Sequence, residues 1–421
     1  MDNSASTSEM VHGGVCTDFY YYDSETLKTQ CFPTTQNTRF TQGFQALAGG
    51  TNTFTIPPNN GLQQVCVTAS FPAIASLSEG VGLSTGWLYQ AIDSITYRYG
   101  GSAQFSINGL QALQIALRQQ PNRTSMNDLT TLGGTAVKGA ELANGVDASI
   151  ILPLPHSSCS GVGKLHPFPT DILTQQCVIQ VVLKPISSIW SNYSGSALPA
   201  GCTQFSSASF VAQQILLNNQ GDSLSRRTDM SRSAYSFPTE FNQQLITVAL
   251  ANSAGVQSVT INGLRFGECK SLQIWLTRNT DTPATVTTSY LYNPLNWYLP
   301  TSVVLTYAGD IYAQYSTSSL AQLMNLTNGN KAPAFSITNY TGASATLTKV
   351  PATGFFLELP FSQPNVDEDN HYNLIHGKVL TNGQVQLALQ TPSAQADWVL
   401  NVAPVYVTHL IMSQGTSEYQ F

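Results

Sequence analysis

Trp87-Leu-Tyr-Gln-Ala-Ile-Asp-Ser-Ile-Thr-Tyr97-Arg-Tyr-Gly-Gly-Ser-Ala-Gln104-Phe-Ser106 returns 210 positions later as Trp297-Tyr-Leu-Pro-Thr-Ser-Val-Val-Leu-Thr-Tyr307-Ala-Gly-Asp-Ile-Tyr-Ala-Gln314-Tyr-Ser316. Between 86 and 117 this ungapped shift gives eight identities in 32 positions: Trp87, Thr96, Tyr97, Ala103, Gln104, Ser106, Leu110 and Leu113 with their counterparts. Ile95 also falls over Leu305 and Phe105 over Tyr315. A second echo, at a shift of 207, lays Ile150-Ile-Leu-Pro153 on Leu357-Glu-Leu-Pro360, Leu173-Thr174 on Leu380-Thr381 and Val178 on Val385. Two blocks in the same order at nearly the same spacing point to a duplicated module of about half the chain.

Outward from these blocks the pattern is short apolar or alternating runs separated by Gly, Pro, Asn and Ser, which reads as strands. In the first half the clearest are Val65–Ala69, Ile92–Tyr99, Ser149–Leu154 and Cys177–Leu183. In the second they are Leu245–Leu250, Val256–Ile261, Leu272–Thr277, Val303–Tyr307, Phe355–Leu359, Val385–Leu389 and Val399–Val407. Cys177, Ile179, Val181 and Leu183 make one apolar face, and Val385, Leu387 and Leu389 alternate with glutamines, as half-buried antiparallel strands do. Helical spacing is confined to short pieces, Leu110 to Leu117 and its counterpart Leu320 to Leu323, each following a strand. The organisation expected is an irregular arm over 1–39, a first β domain over 40–200 and a second over 201–421. The division falls in the Ser/Gly/Pro/Asn-rich stretch from Ser187 to Phe210. Eight or so strands in domains of this length fit all-β, antiparallel jelly rolls, in tandem, better than immunoglobulin-like domains of about 100 residues.

Composition narrows the function. Charged residues make up 10% of the chain, against roughly 25% in ordinary soluble domains. Aromatics at 10% and a net charge of -6 argue against disorder. A surface poor in long charged side chains suits a protein that packs against copies of itself. The 17 basic and 23 acidic residues leave no electrostatic footprint for nucleic acid. No apolar run approaches the length of a membrane span, and the polar start, MDNSASTSEM, lacks the pattern of a signal peptide. The seven cysteines, at 16, 31, 66, 159, 177, 202 and 269, form no CxxC pair and read as reduced buried thiols. The four sequons at Asn122, Asn192, Asn325 and Asn339 are then silent.

Four constellations hold residue types that carry chemistry elsewhere. Gly82-Leu-Ser84-Thr-Gly86 matches the nucleophile elbow, but that turn needs a strand before the serine and a helix after it. Trp87-Leu-Tyr followed by a strand reads instead as a glycine-rich loop. His156, Cys159, His166 and Cys177 lack the paired short spacings of structural zinc. Asp367-Glu-Asp369 with His371 and His376 lacks the glycine-centred turn of a calcium loop and reads as a solvated tip or subunit contact. Arg226-Arg227 and Arg232 form a basic knot suited to surface ion pairs, an acidic neighbour or a lipid headgroup. None supplies a catalytic, metal or cofactor site, so no cofactor and no enzymatic activity are expected.

The segment Trp87 to Gly-Gly101 resembles a strand and turn of the major capsid proteins of large icosahedral double-stranded DNA viruses. Ile151-Leu-Pro-Leu-Pro155 with His166-Pro-Phe-Pro-Thr-Asp-Ile-Leu-Thr-Gln175 is similar to the segment that closes their first jelly roll. Leu400 to Gly415, an alternating run through Tyr406 and Leu410 to Ser-Gln-Gly, resembles their terminal strand. The chain is shorter than the family's usual members, with an aromatic-rich arm in place of their start.

The resemblance implies a double jelly roll forming a homotrimer: three chains with two similar wedges each make a pseudo-hexagonal tile for an icosahedral shell. It implies as partners neighbouring capsomers, penton and minor or cement proteins, and an internal membrane where one is present. The expected location is the virion capsid, assembled inside the infected host cell. Two other readings compete with this one. A minor or penton capsid protein needs only one wedge, against the duplication. A carbohydrate-binding β-sandwich should carry a signal peptide and paired acidic residues, and neither is seen.

Overall fold

The computed structural model describes residues 35–43, 50–58, 61–74, 81–83, 86–101, 104–119, 137–138, 144–154, 168, 170–185, 189–192, 205–217, 228, 235–251, 255–278, 300–316, 318–319, 336–341, 346–351, 357–361, 377–391 and 397–421. The first half contains β1 (Thr35–Gly43), β2 (Thr51–Ile56), β3 (Gly61–Phe71), β4 (Val81–Leu83), helix α1 (Trp87–Ala91), β5 (Ile92–Tyr99) and β6 (Gln104–Ile107). Helix α2 (Gly109–Gln119), β7 (Val137–Lys138), β8 (Val146–Ile151), a 3-10 turn (Thr170–Ile172), β9 (Cys177–Leu183), β10 (Trp190–Asn192) and β11 (Ser207–Leu217) follow. The second half contains β12 (Tyr235–Asn242), β13 (Ile246–Ala249), β14 (Val256–Ile261), β15 (Glu268–Arg278), β16 (Ser302–Tyr307), β17 (Asp310–Tyr315), β18 (Ser336–Thr341) and β19 (Thr346–Pro351). It ends with β20 (Leu357–Pro360), β21 (Lys378–Val379), β22 (Val385–Gln390), β23 (Trp398–Ser413) and β24 (Thr416–Gln420).

Each half pairs its strands in the same way. The first forms the sheets β1-β11-β3-β8 and β2-β9-β5-β6, and the second forms β12-β23-β15-β20 and β14-β22-β16-β17. Counting eight principal strands along each half, both read 1-8-3-6 and 2-7-4-5, the antiparallel jelly-roll order. Small additions decorate this frame: β10-β4-β7 and β18-β19 as separate sheets, with β13 and β24 on β23 and β21 on β15. Apolar inner faces close each sandwich. Phe54 of β2 stacks on Phe210 of β11 at 5.0 Å, joining the two sheets of the first half. In the second half Leu272, Ile274, Val303, Leu305, Leu387, Leu389, Leu400 and Val402 are fully buried.

Pairing registers test the duplication residue by residue. Ile95 pairs with Val181 and Tyr97 with Ile179; Leu305 pairs with Leu387 and Tyr307 with Val385. The 210 shift therefore carries β5 onto β16, whereas β9 maps onto β22 at 206. The sequence match of Val178 with Val385 is one residue out: Val178 is half-buried, Val385 is fully buried, and a single-residue slip exchanges the faces of a strand. The 207 shift does hold for β8 and β20, where Ile150 and Leu152 correspond to buried Leu357 and Leu359. It also aligns a feature the sequence does not advertise. A β-bulge at Gln63, between Leu62 and Gln64 opposite Gln214 and Gln213, matches one at Lys270, between Cys269 and Ser271 opposite Tyr406 and Val405. Beyond β5 the halves part: residues 100–103 connect β5 to β6, whereas β16 turns into β17 through Ala308 and Gly309 alone, at φ 53° and 93°.

Two strands lie where the sequence expectation did not put them. Thr35 to Arg39, read as part of the arm, begin β1 and pair with β11. β11 itself, beyond residue 200, hydrogen-bonds to β1 and β3. β1 is polar at most positions and β11 follows a Ser/Gly-rich run, so neither announces itself by alternation.

Trp87 does not start a strand directly: Gly86, at φ 73°, precedes one helical turn whose five residues are all buried. Its ring meets Phe71 edge-on at 5.8 Å and Phe205 at 6.0 Å. It is a core residue, and Trp297 lies outside the described residues. Trp87→Ala is expected to cost about 3–5 kcal/mol of stability, measured by denaturant unfolding.

Candidate functional site

Of the chemistry-bearing residues singled out in the sequence, Cys177 alone is among the described residues. Ser84, His156, Cys159, His166, Arg226, Arg227, Arg232, Asp367, Glu368, Asp369, His371 and His376 lie outside the described residues. Cys177 is buried on the apolar face of β9, and burial raises its thiol well above the ordinary range. Among the described residues no group of three His, Cys, Asp or Glu side chains is placed to hold a metal, and no helix is long and apolar enough to cross a membrane.

The distinctive site is instead the seam between the two jelly rolls. Helix α2 is its centre. Asn108 caps the helix by accepting from the Gln111 backbone N–H at 2.7 Å. Gly109 opens it because a Cβ there would collide with the Tyr89 carbonyl oxygen and come within 2.7 Å of that of Ile92. This fixes α2 against α1 and aims two glutamines at the second half. Gln111 Nε2 donates to the Gln243 carbonyl at 2.9 Å. Gln114 Nε2 donates to Gln273 Oε1, and Gln273 Nε2 in turn reaches Glu358 Oε1 at 3.4 Å, where Ser271 Oγ also donates at 2.6 Å. Gln114, Gln273 and Ser271 are essentially inaccessible to solvent. A buried amide left unpaired costs on the order of 1–3 kcal/mol, so this chain of contacts fixes the relative position of the halves.

Two further contacts complete the seam. Phe105 of β6 meets Phe241 of β12 edge-on at 5.7 Å. The C-terminal hairpin β23–β24 reaches back to the turn after β5. Ser417 N donates to the Gly100 carbonyl at 3.2 Å, Ser417 Oγ donates to the Tyr99 carbonyl, and Thr174 N donates to the Gly415 carbonyl at 2.8 Å. A Cβ at Gly101 would lie 2.7 Å from the Ser417 carbonyl oxygen, so the Gly-Gly turn is needed for this approach. The Gly-Gly turn is visible in the sequence, whereas nothing in the pattern marks Gln111, Gln114 or Ser417. Glutamine on a helix normally reads as solvated, and only the register across the seam shows otherwise.

Buried phenols line the same region. Tyr89, Tyr97 and Tyr99 are fully buried, and desolvation raises all three above the usual phenol range, with Tyr419 of β24 adding to the rise at Tyr97 and Tyr99. Raised values favour the protonated, folded state. Unfolded phenols ionise near 10, so stability is complete below that pH and falls as pH rises above it. Spectrophotometric titration should show these tyrosines silent until the chain unfolds in alkali.

No protein-family model and no curated protein sequence matches the chain. Solved structures do. A quasi-atomic model of the PBCV-1 virus capsid aligns with TM-score 0.60 at 12% identity, over 92% of this chain and 97% of that one. The chain has the double jelly-roll fold. The major capsid protein of STIV gives TM-score 0.51 at 13% identity over 89% and 97% of the two chains. That of mavirus gives 0.51 at 12% identity over 95% and 93%. Each match covers about nine-tenths or more of both chains, so the likeness is to the tandem arrangement and not to one sandwich.

Proposed function

We propose that this chain is the major capsid protein of an icosahedral double-stranded DNA virus, located in the virion shell and without catalytic activity. Its unit of assembly is a homotrimer that behaves as a pseudo-hexameric capsomer. The observation that carries this reading is the presence of two jelly rolls of identical strand order in one chain, locked at a fixed angle by the α2 seam. Two similar wedges per chain give a closed trimer six similar outward faces, which is what paving a lattice with six neighbours requires. We place the division between the wedges after Leu217, at the end of the strand that closes the first pair of sheets.

The likeness to capsid proteins of PBCV-1, STIV and mavirus supports a capsid role. A penton or minor component is the weaker reading, because a five-fold position is filled by one wedge per chain. Penton, cement and neighbouring capsomer contacts belong to the proposal. Sedimentation equilibrium of the purified protein should give three times 45.3 kDa. A stable monomer would sink the proposal, and a pentamer would favour the penton reading.

A further inference from the structure

We infer that the outer face of the sheet β1-β11-β3-β8 is covered by a second copy of this chain. The inference rests on the trimeric reading above and names the face through which the trimer closes.

The equivalent face of the second half is already covered within one chain. On β15, Gln273 and Trp275 alternate with the core residues Leu272, Ile274 and Leu276, yet both are only 1% exposed. Their neighbours across the sheet, Glu358 on β20 and Asn401 and Ala403 on β23, are no more than 8% exposed. Gln114 of α2 donates to Gln273, so the first jelly roll lies against this face.

The pairing registers carry the same places into the first half. The bulge at Gln63 matches the one at Lys270, so Cys66 and Thr68 stand where Gln273 and Trp275 stand. Cys66 pairs with Ile151 and Val211 as Gln273 pairs with Glu358 and Ala403, and Thr68 pairs with Ser209 as Trp275 pairs with Asn401. The inner residues agree: Val65 and Val67 fall on Leu272 and Ile274, and all four are fully buried. On the outer face the halves differ. Cys66, Thr68, Ile151, Ser209 and Val211 are all half-buried, at places that are closed in the second half. None of the five is charged, and the hydroxyls of Thr68 and Ser209 pair with each other at 2.6 Å. Depletion of charge is the mark of the centre of an interface.

The intrachain contact also says what the cover is. Had the two halves covered each other reciprocally, Cys66 and Thr68 would be as closed as Gln273 and Trp275. They are not, so the contact runs head to tail. The element that covers the second half, α2, follows β6; β17 holds the place of β6 in the second half, and the chain turns helical again at Ser318 and Ser319, just after it. That side of the second jelly roll is what a neighbouring copy offers to the open face. A head-to-tail contact either closes into a ring or runs on as a filament, and three chains close it in the proposed capsomer.

Cys66 supplies a reporter within the face, because a thiol reacts only where reagent reaches it. Maleimide labelling of the native protein, located by mass spectrometry, should spare Cys66 in the trimer and modify it after dilution to the monomer. Val211→Lys should raise the concentration at which the trimer dissociates at least about tenfold. Val182→Lys, the same change at a half-buried valine on β9 in the other sheet of the first half, should not. Thermal unfolding checks that both variants fold as the parent does; if Val211→Lys does not, labelling of the parent decides alone. A Cys66 as protected in the monomer as in the trimer would assign the cover to the chain's own segments and overturn the inference. Equal labelling in both states, or a Val211→Lys trimer as stable as the parent's, would overturn it too, and each of these results leaves the trimer standing. A monomeric parent would overturn the inference and the trimeric reading together.

Discussion

A jelly roll ends each of its sheets in strands whose outer backbone groups have no partner within the sandwich, and what covers them shapes the whole molecule. In this chain one such edge is covered internally. Phe105 on β6 is sealed by Phe241 on β12, and the seal is held in register by Gln111, Gln114 and the Ser417 contact with the Gly100-Gly101 turn. Everything that makes the tandem a rigid unit follows from that closure: the close approach of α1 and α2 at Gly109, the tight Gly101 turn, and the long β23 that returns β24 to the first half.

The seam combines two kinds of force. Aromatic contact across Phe105, Phe241 and Tyr419 supplies apolar burial, with Phe241 and Tyr419 5.3 Å apart. The glutamine path to Glu358 supplies direction, because the buried Nε2 donors of Gln111 and Gln114, paired in this arrangement, are left unpaired in neighbouring ones. Apolar contact alone would tolerate sliding. The polar chain does not, which is a reason for placing glutamines where a core would otherwise hold leucine.

Much of the sandwich architecture was legible in the sequence, and for a physical reason. Strands with one face in the core and one in solvent, such as β9 and β22, alternate visibly, and the repeated Thr-Tyr of β5 and β16 falls on equivalent pairs. Other parts were not legible. β1 lacks an apolar rhythm, and the one-residue error at Val178 shows that a lone identity between valines cannot decide which face a strand turns inward. The matches at Gln104 and Ser106 do not survive either, because the second hairpin is four residues tighter in its pairing. The twin bulges at Gln63 and Lys270 share no sequence yet fall at equivalent places. Of the site, the glycine turn could be read, while the glutamines could not, since their burial depends on a partner more than a hundred residues away.

The central claim is that the two jelly rolls occupy equivalent places in a closed three-chain ring. Electron microscopy of the purified particle tests it most directly. Averaged views down the symmetry axis should show three-fold symmetry with a six-lobed, near-hexagonal outline, the lobes alternating between first and second jelly rolls. Isolated two-lobed particles, or a five-lobed ring, would contradict it.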